Sequence, residues 1–334
     1  MDKKLQPVYN WLLLGCFLIG LMVIIGGITR LTQSGLSMVD WKLYMGSIPP
    51  MNDDAWRQTF EAYQQYPEYQ IVNKEFTLED FKSIFWWEYI HRLLGRLIGI
   101  IFIIPFLVFL IQKRLNPSLT KKLIILLILG GFQGFLGWYM VKSGLVNNPH
   151  VSHFRLAAHL IAAFAAFGYS LWLALGIRNE TRFRIPQSLR KVLFWVFGIL
   201  LLQIIYGAFV AGLKAGLYYN TWPLMGGEVI PKEAFDAFSR DGFSSLIHNI
   251  TSVQFIHRTL AILVSGLFIF LWMKAREVSM PKSIFFIPMV IVGIQFALGV
   301  TTLIMHVPVF LGVLHQLGAL ILFAATLIAI HRTS

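Results

Sequence analysis

Eight separable apolar runs, each about 19–27 residues long, dominate this 334-residue chain and limit what it can fold into. A run of that length crosses the roughly 30 Å hydrocarbon core of a bilayer as a helix, and a helix satisfies its own backbone hydrogen bonds there. The runs fall at about 11–29, 85–111, 122–141, 156–177, 192–213, 251–273, 284–304 and 311–331. Apolar residues make up 57% of the chain and charged ones only 13%, against about 25% charged in a typical soluble domain. A soluble enzyme, a disordered chain and a secreted disulfide scaffold are all excluded. The single cysteine, Cys16, lies inside the first run, so no intramolecular disulfide can form. The expected class is an all-α polytopic membrane protein.

The net charge of +12 would suit a nucleic-acid partner, but its distribution argues for a membrane instead. Lys3, Lys4, Lys113, Arg114, Lys121, Lys122, Lys274, Arg276, Lys282 and Arg332, with the cations from Arg178 to Lys191, fall on one side of the spans. Only Asp2, Glu180 and Glu277 oppose them. This positive-inside bias puts both termini in the cytoplasm of a cell that carries the chain in its inner membrane. The first run lacks a small-residue cleavage pattern and reads as a retained helix. Two outer connections, 30–84 and 214–250, are long and polar with Trp, Tyr and Pro interspersed. In the first, 53–66 and 77–82 read as short surface helices, with a capping box from Thr77 to Asp80. Neither loop has the apolar content for a core of its own.

The chain also repeats itself. Gly26, Gly35, Trp41, Gly46 and Pro50 overlay Gly207, Gly216, Trp222, Gly227 and Pro231. Further on, Ile90-His91-Arg92 matches Ile256-His257-Arg258, Gln133 matches Gln295, and His159 matches His315. Each half has an even number of spans, so the repeat runs parallel. The expected architecture is two four-helix bundles, residues 1–178 and 179–334, related by a pseudo-two-fold axis along the membrane normal.

His91, His159, His257 and His315 sit at matched depth near the outer ends of the even-numbered spans. A lone intramembrane histidine reads best as an interhelical hydrogen bond. Four of them, in two pairs set by the repeat, read instead as two metal sites, His91 with His159 and His257 with His315. Zinc wants more ligands than these pairs supply, whereas a heme iron accepts two axial imidazoles. Gly95, Gly99, Gly130, Gly131, Gly134 and Gly137 would let a flat macrocycle approach, and Arg92 and Arg258 are candidate propionate contacts. The halves differ at one place. Glu88 stands three residues before His91, where the second half has Gln254 before His257. Glu88 is therefore a candidate general base or charge stabiliser confined to the first half, the alternative being an interfacial ion pair with Arg92 or Arg155.

The stretch Glu88-Tyr89-Ile90-His91-Arg92-Leu93-Leu94-Gly95-Arg96, with the eight spans and the paired histidines, resembles the heme A synthase family. Gly26-Gly27-Ile28-Thr29-Arg30-Leu31-Thr32 and Asn220-Thr221-Trp222-Pro223-Leu224-Met225 add to the resemblance, which covers nearly the whole chain. The resemblance implies oxidation of the C8 methyl of heme O to a formyl group by successive hydroxylations, with water as oxygen source. It implies heme O held by His91 and His159, a resident heme b iron held by His257 and His315, and Glu88 assisting the oxidation. It further implies a heme O synthase and an electron-transfer partner, and leaves self-association open. The first outer loop contains no cysteine pair, which resembles the proteobacterial and mitochondrial branch. The competing readings are a diheme b membrane electron carrier or reductase, and a heme transporter or assembly factor. Ligands at one end only disfavour the carrier, and an acid in one half only disfavours the transporter. The other histidines, His150, His153, His248, His306 and His331, are expected in solvated or interfacial positions.

Overall fold

A computed structural model describes residues 2–39, 48–145, 149–179 and 181–333. Trp41 and Gly46 of the repeat, and Glu180 of the charge pattern, lie outside the described residues. Eight helices among the described residues are long and apolar enough to cross a membrane. They are α1 (Gln6–Leu31), α3 (Leu78–Ile111), α4 (Pro117–Lys142), α5 (His153–Arg178), α6 (Gln187–Gly212), α9 (Ile250–Ala275), α10 (Ser283–Ile304) and α11 (Val309–Arg332). Shorter helices α2 (Asp53–Gln64), α7 (Lys232–Asp241) and α8 (Ser245–His248) occupy the two long connections. The described residues contain no strand, only two isolated bridges. The chain is an all-α, multi-pass membrane protein.

Local chemistry explains where the helices begin. Asn52 caps α2, its side-chain oxygen accepting from the Ala55 amide at 2.8 Å, and Asn116 and Asn249 cap α4 and α9 in the same way. Thr77 and Asp80 form the expected capping box. Their helix is not a separate surface piece, however, because it runs unbroken into the second span. With 34 residues, α3 is about 50 Å long at ~1.5 Å per residue, roughly 20 Å more than the hydrocarbon core needs. No turn signal follows residue 82 in the sequence, so once capped the helix has nothing to stop it.

The surplus turns of α3 carry the core of the first long connection. Met38, Trp56, Tyr63, Phe81, Ile84, Phe85 and Tyr89 bury one another. Trp56 meets Phe85 edge-on at 5.0 Å between centroids, and Tyr63 lies 5.1 Å from Phe81. The connection thus has no core of its own and shares one with α3. Farther along, Ile100, Ile104, Leu107 and Ile111 stay exposed, as suits a helix whose surroundings are hydrocarbon.

The chain divides into two compact units, Leu18–Ala163 and Met1–Phe17 with Phe164–Ser334. In the second, α6 packs on α9, α9 on α10, α10 on α11 and α11 on α6, which closes a four-helix ring. Helices α7 and α8 pack against α9, where Thr251 donates to Glu233 at 2.9 Å. In the first unit α3 packs on α4, α1 meets α3 where Thr29 reaches the Trp87 carbonyl, and Arg155 of α5 donates to the Tyr139 carbonyl of α4.

Candidate functional site

Each of the four intramembrane histidines lies against a glycine on a neighbouring odd-numbered span. A Cβ built on Gly26 would stand 3.1 Å from the His91 Cε1 atom and 3.7 Å from Nδ1. On Gly137 it would stand 3.1 Å from His159 Cε1, on Gly207 3.2 Å from His257 Cε1, and on Gly299 2.7 Å from His315 Cε1. His91 lies within electrostatic reach of His159, and His257 of His315, so each pair shares one neighbourhood inside its own unit. All four Nδ1 atoms are sealed from solvent and lack a hydrogen-bond partner, although each residue as a whole keeps some accessible surface. Gln133 Nε2 stands 3.4 Å from His159 Nε2, and Gln295 Nε2 donates to the His315 carbonyl at 2.8 Å.

Of the glycines expected to admit a macrocycle, Gly137 touches His159 and Gly95 sits near Met22. Gly99, Gly130, Gly131 and Gly134 meet nothing within 4 Å. Sequence reasoning missed the glycine contacts of His91, His257 and His315, although Gly26 and Gly207 headed the repeat. A signal was present. Gln133, Gln203 and Gln295 each precede their glycine by one helical turn, and only Met22 breaks the pattern before Gly26.

Glu88 is buried, 3% exposed, and three donors converge on its carboxylate. Ser37 Oγ donates to Oε2 at 2.7 Å and the Met38 amide at 2.8 Å, while Arg92 Nη2 donates to Oε1 at 2.5 Å. Arg92 also reaches the Met38 carbonyl at 2.9 Å. Of the two pairings open from sequence, then, Glu88 takes Arg92, whereas Arg155 stacks on Tyr139. Gln254 occupies the matching place with reversed polarity. Its Nε2 donates to the Tyr219 carbonyl at 3.0 Å, and its Oε1 has no partner. Arg258 donates to the Thr221, Pro223 and Leu224 carbonyls and lies over the Trp222 ring, with Nη1 buried and unpartnered. In both halves, the residue three before the histidine and the arginine just after it fasten the connection that follows the preceding span.

No group of three or more His, Cys, Asp or Glu side chains suited to a bare metal ion occurs among the described residues. Pairs of imidazoles with no third ligand suit an iron whose other four ligands come from a macrocycle. His248 bonds within its own turn at Ser244, and His306 is exposed. His331 departs from expectation, being buried with its ring edge-on to Trp172 at 4.8 Å. Cys16 is buried, its thiol 3.8 Å from the Phe167 carbonyl, which suits a small packing residue.

Residues 9–327 match the family model described as cytochrome oxidase assembly protein. The chain is 48% identical to the heme A synthase of Flavobacterium psychrophilum over 337 aligned residues, covering 99% of both proteins. It is 47% identical to that of Flavobacterium johnsoniae over the full length of each. The chain belongs to the heme A synthase family. The membership reaches beyond that genus, since the heme A synthase of Paramagnetospirillum magneticum is 46% identical over 98% of this chain and 93% of the relative. Within the family fold, the chain's two histidine pairs and the buried Glu88 beside His91 are the features with chemical reach.

Proposed function

We propose that this chain oxidises heme O to heme A, with the chemistry in residues 1–178 and an electron relay in residues 179–334. The observation that carries the assignment of halves is Glu88 against Gln254, set beside otherwise matching histidine pairs. Full-length similarity to heme A synthases supports the reaction class. In this reading the halves are parallel repeats, both termini are cytoplasmic, and the histidine pairs lie toward the outer face of the cytoplasmic membrane.

His91 and His159 hold the iron of the substrate heme O, and His257 and His315 hold a resident heme b. Heme b, when bound, supplies one-electron transfer toward a partner protein. The net change at the substrate is R–CH3 + H2O → R–CHO + 4 H+ + 4 electrons. It proceeds through two successive hydroxylations by water, after which the geminal diol loses water to give the aldehyde. Developing positive charge at the benzylic-type carbon is what a nearby fixed carboxylate stabilises, and Glu88 is a buried carboxylate one helical turn before His91. Ser37, Met38 and Arg92 hold it in place, so it needs no reorganisation when that charge appears. The Arg258 Nη1 donor is available to a heme propionate in the second half.

Expression with a heme O source, followed by chromatographic separation of extracted hemes, tests the reading. Heme A or its hydroxymethyl precursor, beside heme O, is expected. Heme b alone would mean an electron carrier and refute the proposal.

A further inference from the structure

Resting on the heme reading above, we propose that the four glycines are positioning residues, each baring a stretch of helix backbone that fixes one axial histidine through its Nδ1 edge. An imidazole that binds iron through Nε2 carries its proton on Nδ1, and that proton needs an acceptor. Inside an apolar bundle the available acceptors are backbone carbonyls. A helical carbonyl is ordinarily screened by the side chain one turn later, and a glycine there removes the screen. Gly137, Gly207 and Gly299 follow Gln133, Gln203 and Gln295 by one turn. The backbones of those three glutamines are the ones that His159, His257 and His315 approach. Each Nδ1 is sealed and unpaired, so a ring movement on ligation would give it that acceptor. His91 lies on Gly26 by the same close contact.

The same pairing occurs twice in each half, Gly26 with His91 and Gly137 with His159, then Gly207 with His257 and Gly299 with His315. A hydrogen bond from Nδ1 to a carbonyl raises the donor strength of the ligand and favours ferric iron. Losing it shifts the midpoint potential upward. Room at each contact differs, which grades the expected effect. An added Cβ at Gly299 would stand 2.7 Å from the ring and must displace it, whereas at Gly207 it would stand 3.2 Å away. Gly198 on α6 and Gly293 on α10 have nothing within 4 Å and serve as controls on the same helices.

The test uses full-length protein purified in detergent with its resident heme. Gly207→Ala, Gly299→Ala, Gly198→Ala and Gly293→Ala are compared by low-temperature EPR and by spectroelectrochemical titration. The two contact variants should show a shifted low-field g value and a raised midpoint potential, larger for Gly299→Ala, while the controls match the parent. Contact variants that coincide with their controls overturn the proposal. Gly207→Ala, the milder contact, carries the test if Gly299→Ala does not accumulate. A parent protein without a bis-imidazole signal, or one that keeps it after His257→Ala, overturns the heme assignment instead, so the two failures are distinguishable.

Discussion

Replacing Glu88 by glutamine removes one charge and almost no volume, which makes it the sharpest probe of the first half. In the parent, one carboxylate oxygen takes Ser37 and the Met38 amide, and the other takes Arg92. A glutamine oxygen can serve one of these sets, and its NH2 then faces a donor in the other. The Arg92–Glu88 pair is 10% and 4% exposed at its side chains, so water does little to relieve the mismatch. Losing one charge-assisted hydrogen bond of this kind costs about 1.5–3 kcal/mol, or roughly ten- to a hundredfold in how firmly the connection at Ser37 and Met38 is held. Glu88→Gln should therefore lower thermal stability in detergent moderately, retain heme at both histidine pairs, and make no heme A. Ser37→Ala separates the two effects. It removes a 2.7 Å hydrogen bond but keeps the charge, so it should cost a comparable amount of stability, about 1.5–3 kcal/mol, and leave heme A formation largely intact. Wild-type heme A yield from Glu88→Gln would refute the chemical role of the carboxylate. Equal loss of heme A in both variants would reduce Glu88 to a fastening for the connection.

Other consequences are accessible to simpler experiments. His257→Ala or His315→Ala should abolish the heme b spectrum while heme O still binds; persistence of heme b with loss of heme O would mean that the halves are assigned backwards. Trp56→Ala should destabilise the first long connection by about 3–5 kcal/mol, because its ring packs edge-on against Phe85 and Phe81, and unchanged resistance of α2 to proteolysis would contradict this. Burial, reinforced by the Glu68 carboxylate, pushes the Tyr63 phenol well above its ordinary range. The unfolded chain then loses its phenolic proton first, so the connection should lose stability as pH rises past about 10, and a flat proteolysis profile across that range would show otherwise.

The spans were legible because each apolar run is long and uncharged, and a helix is the form such a run takes in hydrocarbon. The start of α3 was legible in part. Thr77 and Asp80 announced a cap, but nothing in a cap says how far its helix runs, and the helix absorbed what read as a separate surface piece. The pairing of His91 with His159 and of His257 with His315 was an expectation drawn from the repeat, and the two rings of each pair lie within electrostatic reach of each other. The contacts of Gly26, Gly207 and Gly299 were not legible as contacts, since a glycine in an apolar run looks the same whether it has open space beside it, as Gly198 does, or an imidazole. The buried setting of His331 was equally hidden, because its partner Trp172 is far away in sequence.

The opposed polarity of Glu88 and Gln254 acts as a ratchet on how this sequence can change. Glu88 meets an amide hydrogen of the connection after α1, whereas Gln254 meets a carbonyl oxygen of the connection after α6. A single Gln254→Glu exchange would set a carboxyl group against the Tyr219 carbonyl in a buried place, two acceptors unless the acid keeps its proton. An acid at position 254 would therefore be held protonated rather than as a carboxylate, and a Glu88→Gln step would leave either the Met38 amide or Arg92 short of an acceptor. Exchange of roles between the halves would set a donor against a donor at Met38 and an acceptor against an acceptor at Tyr219, so each one-residue step carries its own cost.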